Sequence, residues 1–253
     1  PLTGGLAHAP LTQYAGQKLK YSGFDYLVIK GRAAEPSLLW VHDGIADVEP
    51  AGDLWGQDVW AAVRAVRQKM GDELIQVLGA GPAAERGSDL GQVMVNEWAS
   101  GDRFGLGKAL AAKNLKLIAV RGMGLLEIAE EEEMVERCLA LLAEVKGGAW
   151  GGRQGQGALG QALGYDDYAD WLAPAVHRSH SSFNTPFAYN TFLYLDADPG
   201  MKAEPDQDEP GVLLGDPGAA GALKGLGLSV EEAGRVILAC AKEGLDAAAA
   251  AKV

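Results

Sequence analysis

Residues 101–122 read Gly101-Asp102-Arg103-Phe104-Gly105-Leu106-Gly107-Lys108-Ala109-Leu110-Ala111-Ala112-Lys113-Asn114-Leu115-Lys116-Leu117-Ile118-Ala119-Val120-Arg121-Gly122. Glycines at 101, 105 and 107 mark a tight turn, because glycine tolerates left-handed and crowded backbone. Gly105–Lys113 then suits a short helix, and the apolar, β-prone run Leu115–Val120 suits a strand. A glycine loop opening a helix that runs straight into a strand is a unit of a mixed α and β fold.

Upstream, Phe24–Lys30 is apolar and β-prone and ends at Gly31, which predicts a strand followed by a turn. Ser37–His42 and Ile45–Val48 flank Asp43-Gly44, a strong hairpin signal. Val59, Val63, Val66 and Met70 recur at helical spacing, and Gly71 stops the helix. Leu74–Leu78 and Val93–Val95 add two strands. Residues 1–125 therefore read as a β-rich domain with intervening helices.

Downstream the character changes. Glu130–Val145 predicts a helix whose glutamates at 130 to 133 favour its dipole. Residues 147–164 hold eight glycines and read as a loop. Tyr165–Leu172 reads as a short helix, Phe187–Leu195 as a strand or a buried helical turn, and Asp196–Gly218 as an exposed excursion. Ser229 and Glu232 form a capping box for a last helix that ends near Gly244, with a frayed alanine tail. The fold class is α+β, with residues 126–253 a smaller, mainly helical segment.

With 253 residues, 48% of them hydrophobic, the chain buries a sizeable core. Residues 1–126 carry as many basic as acidic side chains, so the whole net charge of −12 lies beyond them. Such an acidic surface repels phosphate backbones, which argues against a nucleic-acid partner. No apolar run approaches the roughly 20 residues that span a bilayer. Cys138 and Cys240 lie on helix-like stretches and read as small buried apolar residues. With no disulfide framework or CxxC pair, a reducing cytoplasm is expected. His177 and His180 suggest two ligands on one helix face, with Asp166, Asp167 and Asp170 the nearest carboxylates; a surface pair ahead of a loop is the plainer reading.

Three stretches in order resemble aldehyde:ferredoxin oxidoreductases: Pro1–Gly5 with Gly16–Gly31, Leu54–Asp58, and Gly81–Glu85 through Asn96-Glu97 to Arg103–Gly107 and Lys113–Gly122. The resemblance covers the family's pterin-binding amino-terminal domain over residues 1–124, then part of its middle domain. It implies a β-rich base cradling a tungsten-pterin with magnesium. Arg103, Gly105, Leu106, Gly107, Lys113 and Asn114 stand at the pterin-side positions. Main-chain N–H groups of such a loop suit a phosphate, and a guanidinium adds a bidentate contact.

The chain also departs from that pattern. Where the family has Gly-Arg-Gly-Gly-Leu-Gly, residues 102–107 introduce the charge of Asp102 and the ring of Phe104. The family's Asn-Ser-Gly-Gly, whose asparagine helps hold magnesium, reads Pro10-Leu11-Thr12-Gln13. The family's cluster motif, Cys-x-x-Cys-Pro-x-x-x-Cys, anchored on Pro186, falls on Ser182, Thr185 and Tyr189 or Asn190. Hard hydroxyl donors of high pKa do not replace thiolates around iron, so no iron–sulfur cluster is expected in this chain. The segment before Pro1 and the family's carboxy-terminal domain are expected to be missing. Two readings follow. One is a non-catalytic subunit working with other subunits or a second copy. The other is an active tungsten-pterin subunit oxidising aldehydes, or acting on aromatic acyl-CoA, that passes electrons to ferredoxin.

Overall fold

The computed structural model describes residues 5–11, 13–98, 100–149, 151–181, 185–195 and 211–253. In chain order its elements begin with α1 (Ala15–Tyr21), β1 (Ser37–His42), β2 (Ile45–Pro50), α2 (Val59–Met70), β3 (Gln76–Ala80) and α3 (Pro82–Glu85). There follow β4 (Val93–Val95), α4 (Leu106–Ala112), β5 (Leu115–Arg121), α5 (Glu131–Gly147), α6 (Gly155–Ala162) and α7 (Tyr168–Leu172). The last six are β6 (Val176–His180), β7 (Asn190–Tyr194), β8 (Gly211–Leu214), α8 (Pro217–Gly225), α9 (Val230–Glu243) and α10 (Ala247–Ala250). The class is α+β.

Two compact units divide the chain: residues 1–126 with 238–253, and residues 127–237. The last sixteen residues, grouped by sequence with 126–253, thus cluster with the first unit.

In the first unit a five-stranded sheet has the order β2-β1-β5-β3-β4, with β1 and β5 parallel and the other neighbours antiparallel. Asp43 (φ 45°) and Gly44 (φ 78°) both take the left-handed conformation that a two-residue hairpin turn requires. One sheet face receives α2. Val59, Val63 and Val66 pack there with Leu38, Ile75, Val77 and Leu117. Asp58 caps α2 by accepting from the Ala61 N–H at 2.8 Å, and left-handed Gly71 closes it. Leu39, Val41, Leu115 and Val120 gather Leu19, Phe24, Leu27 and Ile29 into a second cluster.

Phe24–Lys30 is not a strand. Its side chains do alternate, since Leu27 and Ile29 pack inward while Tyr26 and Val28 are 75% and 67% exposed. Among the described residues no strand pairs with it, and a strand needs a neighbour as well as a pattern. The strand expected at Leu74–Leu78 begins at Gln76, because Asp72 accepts from the Leu74 N–H at 2.8 Å and holds the chain in a turn.

The second unit carries a three-stranded antiparallel sheet of order β6-β7-β8. Within residues 147–164, read as a loop, Gly155–Ala162 is helical. The reason is packing: the space a side chain at Gly160 would fill holds the Tyr168 ring. Within the stretch read as an exposed excursion, residues 196–210 lie outside the described ones. Gly211–Leu214 is a largely buried strand, and Asp216 caps α8. The Ser229–Glu232 capping box is present, at 2.9 and 3.3 Å. In the first unit the alanine tail is ordered as α10, because Asp246 accepts from the N–H groups of Ala248 and Ala249. Cys240 is buried as expected, but Cys138 is exposed, since no residue of α5 is buried.

Candidate functional site

The loop before α4 is organised by Asp102, which has no solvent exposure. Its Oδ1 accepts from the Phe104 N–H at 2.8 Å. Its Oδ2 accepts from Leu106, Gly107 and Val93 N–H at 2.7, 3.2 and 3.0 Å. Four main-chain donors from the loop, the helix start and β4 therefore converge on one buried carboxylate. Ser100 Oγ supports the turn by accepting from the Asp102 N–H at 3.1 Å and donating to the Val93 carbonyl at 2.8 Å. The glycines are steric necessities. A side chain at 101, 105 or 107 would run into the carbonyls of Pro10, Asp89 or Gln92, and Gly105 is also left-handed at φ 70°.

Arg103 reaches Asp246 Oδ1 at 2.6 Å, the same oxygen that caps α10. Lys113 donates to the Gly31 carbonyl at 3.0 Å. Asn114, at φ 56°, accepts from Arg32 Nη2 at 3.0 Å and donates to the Ala33 carbonyl at 2.8 Å. Lys113 and Asn114 thus tie residues 31–33 to the α4–β5 turn. Leu106 is partly buried at the start of α4.

The donors that the resemblance assigns to a phosphate are therefore already directed at carboxylates of this chain. The N–H groups of 104, 106 and 107 point at Asp102, and the Arg103 guanidinium at Asp246. An incoming phosphate has to displace both negative groups, and in this arrangement the loop does not fit one.

Two polar hubs were not singled out as such in the sequence. Asn96, buried at φ 53°, accepts from the Val77 N–H at 3.0 Å and from Arg67 at 3.1 Å. It donates to Gln13 at 2.6 Å and Gln76 at 2.9 Å. Lys116, with no exposure, donates to Glu85 Oε1 at 2.5 Å and the Gln57 carbonyl at 2.8 Å, while Glu85 Oε2 accepts from the Gly56 N–H at 2.8 Å. Burial lowers the Lys116 pKa from its ordinary value, opposed by the bond to Glu85. The sequence signal for this pair was a lysine at 116 inside the otherwise apolar run of β5, a strand buried along most of its length.

At the cluster segment, Ser182 lies outside the described residues. Thr185 is partly buried. The main-chain carbonyl of Tyr189 accepts from Gln156 Nε2 at 2.8 Å, and Asn190 opens β7 as a buried residue. The Cys240 thiol is pushed up in pKa by burial, which disfavours the thiolate that binds metals. His177 and His180 sit on strand β6 rather than a helix, and a bulge interrupts the strand's register between Val176 and Arg178. His177 instead stacks on Tyr194, with Nε2 3.2 Å from its hydroxyl. No group of three or more potential metal-binding His, Cys, Asp or Glu residues occurs among the described residues. No described helix is long and apolar enough to cross a membrane.

The mixed sheet that carries the ordered motifs above matches a known domain, although the buried carboxylate of Asp102 departs from that family's loop. Residues 1–122 match the family described as aldehyde ferredoxin oxidoreductase, N-terminal domain. The amino-terminal domain of this chain belongs to that family. Tungsten-containing aldehyde ferredoxin oxidoreductases of Pyrococcus abyssi (strain GE5 / Orsay) and Pyrococcus horikoshii are 35% and 33% identical over 136 residues, or 54% of this chain. The matched segment spans only 22% of each of those relatives. An aliphatic sulfonate oxidoreductase, WOR-like subunit, of Pyrococcus furiosus is 22% identical over 179 residues, 66% of this chain and 29% of that protein. The fold is shared with the active site complex BamBC of benzoyl coenzyme A reductase, solved with 1,5-dienoyl-CoA, at a TM-score of 0.70 and 17% identity. That match covers 93% of this chain and 40% of the other.

Proposed function

We propose that this chain is a non-catalytic subunit of an oxidoreductase assembly: an aldehyde ferredoxin oxidoreductase-type domain kept as a scaffold, without an iron–sulfur cluster of its own. The observation that carries this reading is the Asp102 carboxylate, which supplies from within the protein the negative charge that a bound cofactor phosphate would otherwise bring. The cysteine inventory agrees with it. Two cysteines fall short of the four thiolates a [4Fe–4S] cluster uses, and the positions around Pro186 offer oxygen. Assembly with other chains is supported by the relative named as a WOR-like subunit and by the fold shared with the BamBC complex. The net charge of −12 points to protein partners rather than nucleic acid. Two cysteines without a disulfide framework suit a cytoplasmic setting.

The match over residues 1–122 favours a second reading, in which the chain is part of an active tungsten-pterin oxidoreductase acting on aldehydes, with ferredoxin as acceptor. Arg103, Gly105, Leu106, Gly107, Lys113 and Asn114 would then face the pterin, with magnesium beside it. That reading requires Asp102 and Asp246 to give up the donors they now hold.

Elemental assay of purified protein for tungsten, molybdenum and iron, beside a visible spectrum and calorimetric titration with inorganic pyrophosphate, separates the two. The subunit reading expects a flat visible spectrum, no stoichiometric metal and no pyrophosphate binding. Stoichiometric tungsten, or a broad iron–sulfur absorbance, would overturn it.

A further inference from the structure

We infer that the extended segment Phe24–Lys30 is the docking edge for a β-strand of a partner polypeptide, one that alternates apolar side chains and carries an acidic residue at its end. The segment is clamped to the first unit on both sides. At its start the Phe24 N–H donates to the Leu19 carbonyl at 3.2 Å, and the Ser22 carbonyl accepts from the Gly44 N–H at 2.7 Å. Just past its end the Ala33 N–H donates to the Lys113 carbonyl at 3.0 Å, and the Gly31 carbonyl accepts from Lys113 Nζ. Between these clamps no main-chain hydrogen bond involves Tyr26, Leu27, Val28, Ile29 or Lys30 among the described residues. Leu27 and Ile29 are held against the cluster of Leu39, Val41, Leu115 and Val120. An extended chain fixed through alternate side chains directs its N–H and C=O groups sideways. A row of unpaired donors and acceptors therefore lies open, and such an edge is a template for another strand.

The surroundings specify the occupant. A trough beside the segment is lined by Leu27, Ile29, Leu39, Val48 and Leu115. A strand laid along it turns every second side chain inward, and those must be apolar. Lys30, Arg32 and Lys113 line the same trough, and no acidic residue does among the described ones, in a chain of net charge −12. Arg32 is tied to Asn114 and Lys113 to the Gly31 carbonyl, which leaves Lys30 for an incoming carboxylate. A small amphiphilic anion meets the charge and the apolar lining but not the open row of main-chain groups, which only another main chain matches. Every strand among the described residues already lies in one of the two sheets. The occupant is therefore assigned to a separate polypeptide of the assembly.

The inference rests on the subunit reading and names the partner's chemistry, but metal content, which tests that reading, does not bear on it. The probe is a synthetic peptide of alternating valine and threonine flanked by glutamates, added to the full chain and followed by amide hydrogen exchange in NMR. Every second amide within Tyr26–Lys30, fast to exchange in the chain alone, should slow at least about tenfold. A peptide of the same sequence with its backbone N-methylated should protect none of them, although its side chains and charge are unchanged. Lys30→Glu, at an exposed position, should weaken binding about threefold in dilute buffer and less in high salt. A lysine-flanked peptide should then bind that variant better than it binds the parent. Equal binding of the N-methylated peptide would overturn the inference, as would absence of protection with the parent peptide. So would amides already protected in the chain alone, or protected increasingly with its own concentration, the mark of a second copy in the trough.

Discussion

Two helix starts in this chain meet negative charge in opposite ways. At α4 a single carboxylate, Asp102, is buried and takes four main-chain N–H groups. At α5 three glutamates fill the first turn and a fourth stands just before it, all exposed, with no side-chain cap. What a carboxylate contributes is set by direction and burial more than by number. Asp102 substitutes for solvent at donors that water cannot reach. Apart from the exposed i,i+4 pair that Glu133 makes with Arg137, the glutamates of α5 add only a screened field at a surface.

The largest effect expected from breaking that contrast is at Asp102. Asp102→Ala leaves several buried N–H groups without an acceptor, and each costs about 1–3 kcal/mol. A loss of about 4 kcal/mol in stability from urea titration is expected; a loss below about 1 kcal/mol would mean the cradle relaxes onto water and that Asp102 is not its organiser. Next comes Glu85→Gln, which leaves Lys116 buried without its charge partner and should cost about 3 kcal/mol near neutral pH. Its pH dependence has a definite sign. Burial lowers the folded-state pKa of Lys116 below its unfolded value, so between those values the unfolded chain binds more protons and stability rises with pH. Removing the Glu85 charge lowers the folded-state value further. The deficit of Glu85→Gln should therefore shrink as pH rises toward the ordinary lysine range, and a deficit that stays constant would count against a charged Lys116.

The sequence made the first unit more legible than the second, for a physical reason. The hairpin at Asp43-Gly44, the helix stopped by Gly71 and the strand Leu115–Val120 are local signals, each written in a few adjacent residues. Phe24–Lys30 carried the pattern of a strand but not the neighbour a strand needs, and no pattern in one segment reports on another. The helix at Gly155–Ala162 was hidden because its Gly160 answers to the Tyr168 ring, a contact made eight residues along. At the candidate site, the Asp102 departure stood out in the sequence as an extra charge beside the loop. That the carboxylate would turn inward and take up the loop's own donors depends on Val93, nine residues earlier on a different strand.

Caps at the surface give the smaller effects and sharpen the contrast from its weak side. Asp58 accepts a single N–H at the start of α2, so Asp58→Ala should cost about 1 kcal/mol, a quarter of the Asp102 effect. Glu132→Gln at α5 keeps shape and removes charge from a solvated first turn. The expected loss is about 0.3 kcal/mol in dilute buffer, falling toward zero as salt rises, because only the screened dipole interaction is removed. The salt series matters more than the size. A loss that persists in high salt would mean that Glu132 makes a directed contact in the folded chain, and α5 would then begin with a true cap rather than with charge alone.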